Sequence, residues 1–171
     1  MSIPNYQEFM LPVLKQLSDG KEHLLKSVAS NICVEFEFTE EEMNLRISSG
    51  NGRVIYGRIG WAKTYLVQAG LISQPKRGVC LITDRGREAL ESGAEINNNY
   101  LSQFSEYQSF KRRSNKKEST SERKNTLTSE EAISEETPIE KIESTISSLE
   151  SALSKELLDS ILNATPVFLR I

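Results

Sequence analysis

The apolar residues of this chain are spread so unevenly that only its first hundred positions can build a core. From Gln103 to Thr137 the sequence is dominated by Ser, Lys, Arg, Glu, Asn and Thr. So few apolar side chains bury too little surface to offset the entropy of ordering, so residues 101–140 read as a disordered, charged linker. Its charge is blocked. Residues 111–124 hold seven basic and two acidic side chains, net +5, and residues 130–143 hold six acidic and one basic, net −5. The plain role of such a tract is a solvated tether; a basic block also suits phosphate contact.

Beyond it, "PIEKIESTISSLESALSKELLDSILN" sets Ile142, Ile146, Leu149, Leu153, Leu157, Leu158 and Ile161 at steps that place them on one helix face. Residues 141–171 are therefore expected to be an amphipathic helix that needs a partner. A second copy, or a nuclease subunit docking through residues 141–165, would serve.

Residues 1–100 form the folded part. "NYQEFMLPVLKQLSD" predicts a helix with Phe9, Leu14 and Leu17 inward and Pro12 in its early part. "KEHLLKSVASNICVEF" predicts a second, with Leu24, Val28 and Ile32 at spacing four. Thr39 to Glu42 is a capping box for a short helical turn. A third helix is expected from Arg53 to Ala69, closed by Gly70. Two short β runs follow, Leu71-Ile72 and Val79 to Ile82, joined through a turn where Pro75 fixes φ and Gly78 permits positive φ. Thr83 can cap a last helix, "DRGREALES". The sum is mainly α with a small β-hairpin wing, a winged helix-turn-helix, then the linker and the C-terminal amphipathic helix.

On the third helix, Ile55, Ile59, Ala62, Leu66 and Ala69 share an apolar stripe. Opposite lie Gly57, Gly60 and Thr64, flanked by Tyr56, Lys63 and Gln68. Each mid-helix glycine costs about 1 kcal/mol against Ala. Either the pair lets another surface approach the backbone, as a major groove requires, or it sits in an irregular first turn. The two accounts weigh evenly, and the charge tally says more about the partner. The formal net charge of the chain is −3, yet Asn44 to Arg87 holds eight basic residues and one acid, net +7. Basic residues on the third helix and at the hairpin tip suit DNA phosphates and base edges. The expected DNA-binding set is Arg53, Tyr56, Arg58, Lys63, Thr64, Lys76 and Arg77.

The segments "IPNYQEFMLPVLKQLSDGKEH", "FTEEEMNLRISSGNGRVIYGRIGWAKTYLVQAGLI" and "PKRGVCLITDRGREAL" resemble the N-terminal domain of Mrr-type restriction-system proteins over residues 3–92. The run R-x-G-W-A-x-x-Y-L-x-x-A-G-L, Arg58 to Leu71, carries most of the likeness, with P-x-R-G and I-T-x-x-G behind it. The resemblance implies a winged-helix domain that recognises double-stranded DNA, methylated or not, in host defence. It puts Arg58 and Lys63 on the recognition helix, Lys76 and Arg77 on the wing, and Trp61, Tyr65, Leu66 and Leu71 in the framework. The position before Arg58, often Asn in that family, is Gly57 here. The family's metal-dependent nuclease half is expected to be missing, with "TPVFLRI" resembling its interrupted start.

The residues themselves offer no active site. The three acid-or-Gln, x, Lys triplets, Asp19-Gly20-Lys21, Gln74-Pro75-Lys76 and Glu122-Arg123-Lys124, fall in a turn, a hairpin tip and the linker, not on paired central strands. His23, placed on the second predicted helix, has no metal-ligating companion, and Cys33 and Cys80 read as small core residues. No catalytic residue, metal or cofactor is expected. No run approaches the roughly 18 apolar residues of a membrane span and no secretory signal opens the chain, so a cytoplasmic, non-membrane protein is expected. The expected role is a target-recognition module without cleavage. Alternatives are a winged helix that docks a protein, or a truncated remnant.

Overall fold

A computed structural model describes residues 3–47, 50, 52–118 and 137–163, with backbone alone at 115–118 and 163. The chain divides into two units at Thr137/Pro138. The first is mainly helical with a small three-stranded antiparallel sheet.

Its order is α1 (Met10–Gln16), β1 (His23–Leu24), α2 (Leu25–Glu35), α3 (Glu40–Asn44), α4 (Val54–Gln68), β2 (Ile72–Ser73), β3 (Val79–Ile82), α5 (Asp84–Glu91), α6 (Asn98–Leu101) and α7 (Ser105–Glu118). Pro12 lies in the first turn of α1, where its missing N–H has no helical acceptor to lose. The capping box forms as expected: the Glu42 N–H donates to the Thr39 hydroxyl, and the Thr39 N–H donates to the Glu42 carboxylate at 2.9 Å. Gly70 (φ +76°) turns the chain out of α4, and the Leu71 N–H reaches back to the Leu66 carbonyl at 2.9 Å. Thr83 caps α5, accepting from the Gly86 N–H while its hydroxyl donates to the Gly70 carbonyl at 2.7 Å.

The sheet corrects the sequence reading. The expected hairpin is there, with Ile72 opposite Ile82, but β3 is its central strand and a third strand flanks it. His23, assigned to the second helix, instead pairs with Cys80 in β1. Two residues are too short a run to show alternation against the strong helical spacing that follows.

The core gathers Phe9, Met10, Leu14, Leu17, Ile32, Ile55, Ile59, Leu66 and Leu71, all fully buried. It does not stop at residue 100. Leu101 and Tyr107 are buried, and Tyr107 and Phe110 of α7 both lie edge-on to Tyr65 of α4 at 6.0 Å. The start of the tract read as linker is thus a docked helix. Composition missed it because three aromatics, Phe104, Tyr107 and Phe110, carry the burial in an otherwise polar stretch. The rest of that expected linker, 119–136, lies outside the described residues.

The second unit contains α8 (Pro138–Asn163). Its stripe, Ile142, Ile146, Leu149, Leu153, Leu157, Leu158 and Ile161, is exposed along its whole length. The tail "TPVFLRI" lies outside the described residues. Among those described, no helix is long and apolar enough to cross a membrane.

Candidate functional site

Three consecutive residues of α4 mark out a strip along its outer face. Side chains on a helix step by about 100° per residue. Lys63 points to one flank, where its ammonium donates to the Gln74 side-chain oxygen at 3.0 Å, tying α4 to the strand leading to the hairpin tip. Tyr65 points to the other flank and meets α7. Thr64 lies between them, on the same face as Gly60, Gly57 and Arg53. This strip opposes the buried row Ile55, Ile59, Ala62 and Leu66.

The two glycines sit inside regular helix, not in an irregular turn. The Gly57 N–H donates to the Arg53 carbonyl at 2.9 Å, the ordinary helical bond. A Cβ at Gly57 or Gly60 would meet nothing within 4 Å. No neighbour in the fold demands glycine at either position. Gly86 in α5 is the contrast: a Cβ there would collide with the Leu71 carbonyl oxygen.

The expected binding residues fall into three pairs and Arg58. Lys76 and Arg77 are exposed in the hairpin turn, where the Val79 N–H closes onto the Lys76 carbonyl. Arg53 is exposed at the N-cap of α4, its guanidinium 5.5 Å over the Tyr56 ring, while Tyr56 packs partly into the core. Lys63 and Thr64 have internal partners: Gln74 for the first and the Gly60 carbonyl, at 2.9 Å, for the second.

Arg58, also expected to bind, has internal partners. Its Nη1 donates to the carbonyls of Ile3 and Pro4 at 2.8 and 2.9 Å, so it pins the N-terminal segment to α4. It lies off the open strip, on the Tyr65 side. The sequence run Arg58 to Leu71 gave no sign of an acceptor more than fifty positions upstream. Arg85 is likewise structural, donating to the Ala69 carbonyl at 2.8 Å and stacking over Phe104.

Two further sets of basic residues, outside the expected set, lie on segments that contact α4 or its N-cap. Arg46 bridges to Arg53 as an isolated β pair, bringing two exposed guanidinium groups to the start of α4. Lys111, Arg112 and Arg113 are exposed on α7. The charge tally pointed to the first, and the basic block at 111–124 to the second, though only the structure attaches its start to α4.

Burial pushes the Cys33 and Cys80 thiols up, away from the thiolate a nucleophile needs. His23 contacts the Asp19 carboxylate at 2.8 Å, and the backbone N–H of Lys21, with His23, holds that carboxyl below its usual range. The Asp19 triplet is thus a closed turn. Among the described residues, no three His, Cys, Asp or Glu side chains gather to hold a metal.

A family model described as the Mrr N-terminal domain matches residues 6–92. No curated protein matches the chain, and no solved structure matches it.

Proposed function

The chain belongs to the Mrr N-terminal domain family, which associates it with Mrr-type restriction systems, and from that premise we propose that it is a winged-helix module that binds double-stranded DNA without cutting it. The helix, strand, helix, helix, helix, strand, strand order with β3 central supports the winged-helix reading, with α4 as recognition helix and the β2–β3 turn as wing. The observation that carries the proposal is the open strip on α4. Two glycines that the fold does not require leave bare backbone between Arg53 and Thr64, and Lys76 and Arg77 stand at the wing tip. A major groove admits a helix most closely where its outer face is small.

In this reading Lys76, Arg77 and Arg53 meet phosphates and set register. Tyr56 supports Arg53, Lys63 holds the wing base, and Arg58 holds the scaffold. The test is fluorescence anisotropy of the full chain with methylated and unmethylated duplexes over a salt series with Mg²⁺ present. Affinity should fall steeply with salt, with the duplex uncut. A salt-independent Kd, or strand scission, would overturn it.

The exposed stripe of α8 supports a second role beside the first: pairing with a second copy. Ile139, Ile142, Ile146, Leu149 and Leu153 alternate steps of three and four, the seam spacing of a coiled coil. Glu143 and Glu150 flank one side of that seam, Thr145 and Ala152 the other. Parallel pairing sets the carboxylates against Thr and Ala. Antiparallel pairing would set them against each other, so a parallel dimer is favoured.

A further inference from the structure

We infer that α7 is a second phosphate-contacting arm, set against the flank of α4 opposite the wing. The inference rests on the DNA-binding reading and adds to it a residue set and a geometry. Three observations carry it. The contacts of α4 place the wing and α7 on either side of one strip: Lys63 bonds to Gln74 on the wing flank, and Tyr65 meets Tyr107 and Phe110 on the other. The strip between them is unfilled, with open space at Gly57 and Gly60. And α7, once its aromatic side is docked, presents three consecutive cations, Lys111, Arg112 and Arg113, all exposed.

Consecutive positions on a helix spread over about 200° of its circumference. Lys111 and Arg113 therefore flank the docked face on opposite sides, with Arg112 outermost. Lys111 and Arg113 are the two candidates to border the α4 strip. The one acid nearby on α7, Glu106, pairs with Arg85 at 3.3 Å, so the carboxylate closest to the docking site is already engaged. The backbone of Lys111–Arg113 is held by ordered helix, with Arg113 donating from Nε to the Ser109 carbonyl at 3.3 Å. The cations are thus pre-positioned, which lowers the ordering cost of contact.

A helix lying in a groove has a phosphate backbone on each side of it. The wing serves one side. Without α7, the other flank of α4 would offer the neutral rings Trp61 and Tyr65 and Arg58, whose guanidinium is already bonded to the Ile3 and Pro4 carbonyls. With it, both walls of the groove meet positive charge.

The test compares the full chain with its K111Q/R112Q/R113Q variant on a duplex of about two helical turns, by anisotropy across a salt series, with thermal melting of each protein. Each lost phosphate contact lowers the slope of log K against log salt by about 0.9. The expected result is a slope shallower by about 1 to 2.5, weaker binding to every duplex alike, and an unchanged Tm. The single variants K111Q and R113Q assign the flank, one of them reproducing most of the change. Unchanged affinity and slope in the triple variant, while the parent binds, would overturn the arm and leave the wing reading intact. A parent that binds no duplex at low salt would overturn both. Loss in K76Q/R77Q alone would confine phosphate contact to the wing.

Discussion

Tyr107 meets Tyr65 edge-on, ring centroids 6.0 Å apart and planes 76° apart, and Tyr65 in turn lies 5.2 Å from Tyr6. A residue past position 100 thereby closes a contact with the first turn of the chain. Tyr6 also accepts from the Asn98 side chain, and the Tyr107 hydroxyl donates to the Asn98 side-chain oxygen at 3.1 Å. Removing Tyr107 empties the middle of this cluster. Tyr107→Ala should cost about 3 kcal/mol in urea denaturation. A chain ended at residue 100 should be at least as unstable, and one ended at 114 should match the parent. Equal stability of all three would show that the folded unit ends before α7.

The same cluster sets an alkaline limit. Burial pushes the Tyr65 phenol up to about 12 and raises that of Tyr107. Unfolded tyrosine ionises near pH 10. Folded phenols bind their protons more tightly than unfolded ones, so this contribution is fully present below about pH 10 and is lost as pH rises toward 12. Urea midpoints should stay level to that point and then fall. In Tyr65→Phe the fall should be shallower; an identical profile would exclude Tyr65 as a cause.

Three glycines separate folding from binding. Gly57→Ala and Gly60→Ala should each raise stability, by up to about 1 kcal/mol, because the methyl enters open space and helix propensity improves. Both should weaken DNA binding. Gly86→Ala should instead destabilise the chain by several degrees in Tm, since its methyl is driven into the Leu71 carbonyl. Stabilised glycine variants with full affinity would mean that the strip is not the contact surface.

Two arginines should part in the opposite sense. Arg58→Ala should cost about 2 kcal/mol of stability, leaving two carbonyls without their charged donor, and should not alter the salt slope of DNA binding. Arg77→Ala should leave Tm nearly unmoved and lower that slope by about 0.9. Reversed behaviour would return Arg58 to the binding surface.

Sedimentation equilibrium tests α8. The parent should self-associate with increasing concentration, and Leu149→Glu, at the centre of the seam, should remain monomeric with the Tm of the first unit unchanged. A monomeric parent would leave the stripe to a different partner.

Helix identity and punctuation were legible because they are local. Thr39, Gly70, Gly78 and Thr83 act through neighbours within a few positions, and each acts as its residue type predicts. The stripe from Ile55 to Ala69 shows which face of α4 is buried. What sequence could not give was each cation's partner. Arg58 and Lys63 look alike in charge and share a helix, yet one finds carbonyls at the chain's start and the other the Gln74 side chain just past β2. The position of α7 was hidden for the same reason: its dock is Tyr65, about forty residues upstream, and polar composition masked the three aromatics that reach it. Tertiary contact, not propensity, decides both.

The strand order has a consequence for synthesis. Because β3 is last in sequence and central in space, β1 and β2 leave the ribosome before anything exists for them to pair with. His23 and Leu24 await Cys80 and Val79, more than fifty residues behind them. The sheet therefore assembles in one step when β3 arrives. A nascent chain halted at Pro75 lacks the central strand, and the β2–β3 hairpin can take shape only after α4 has been made.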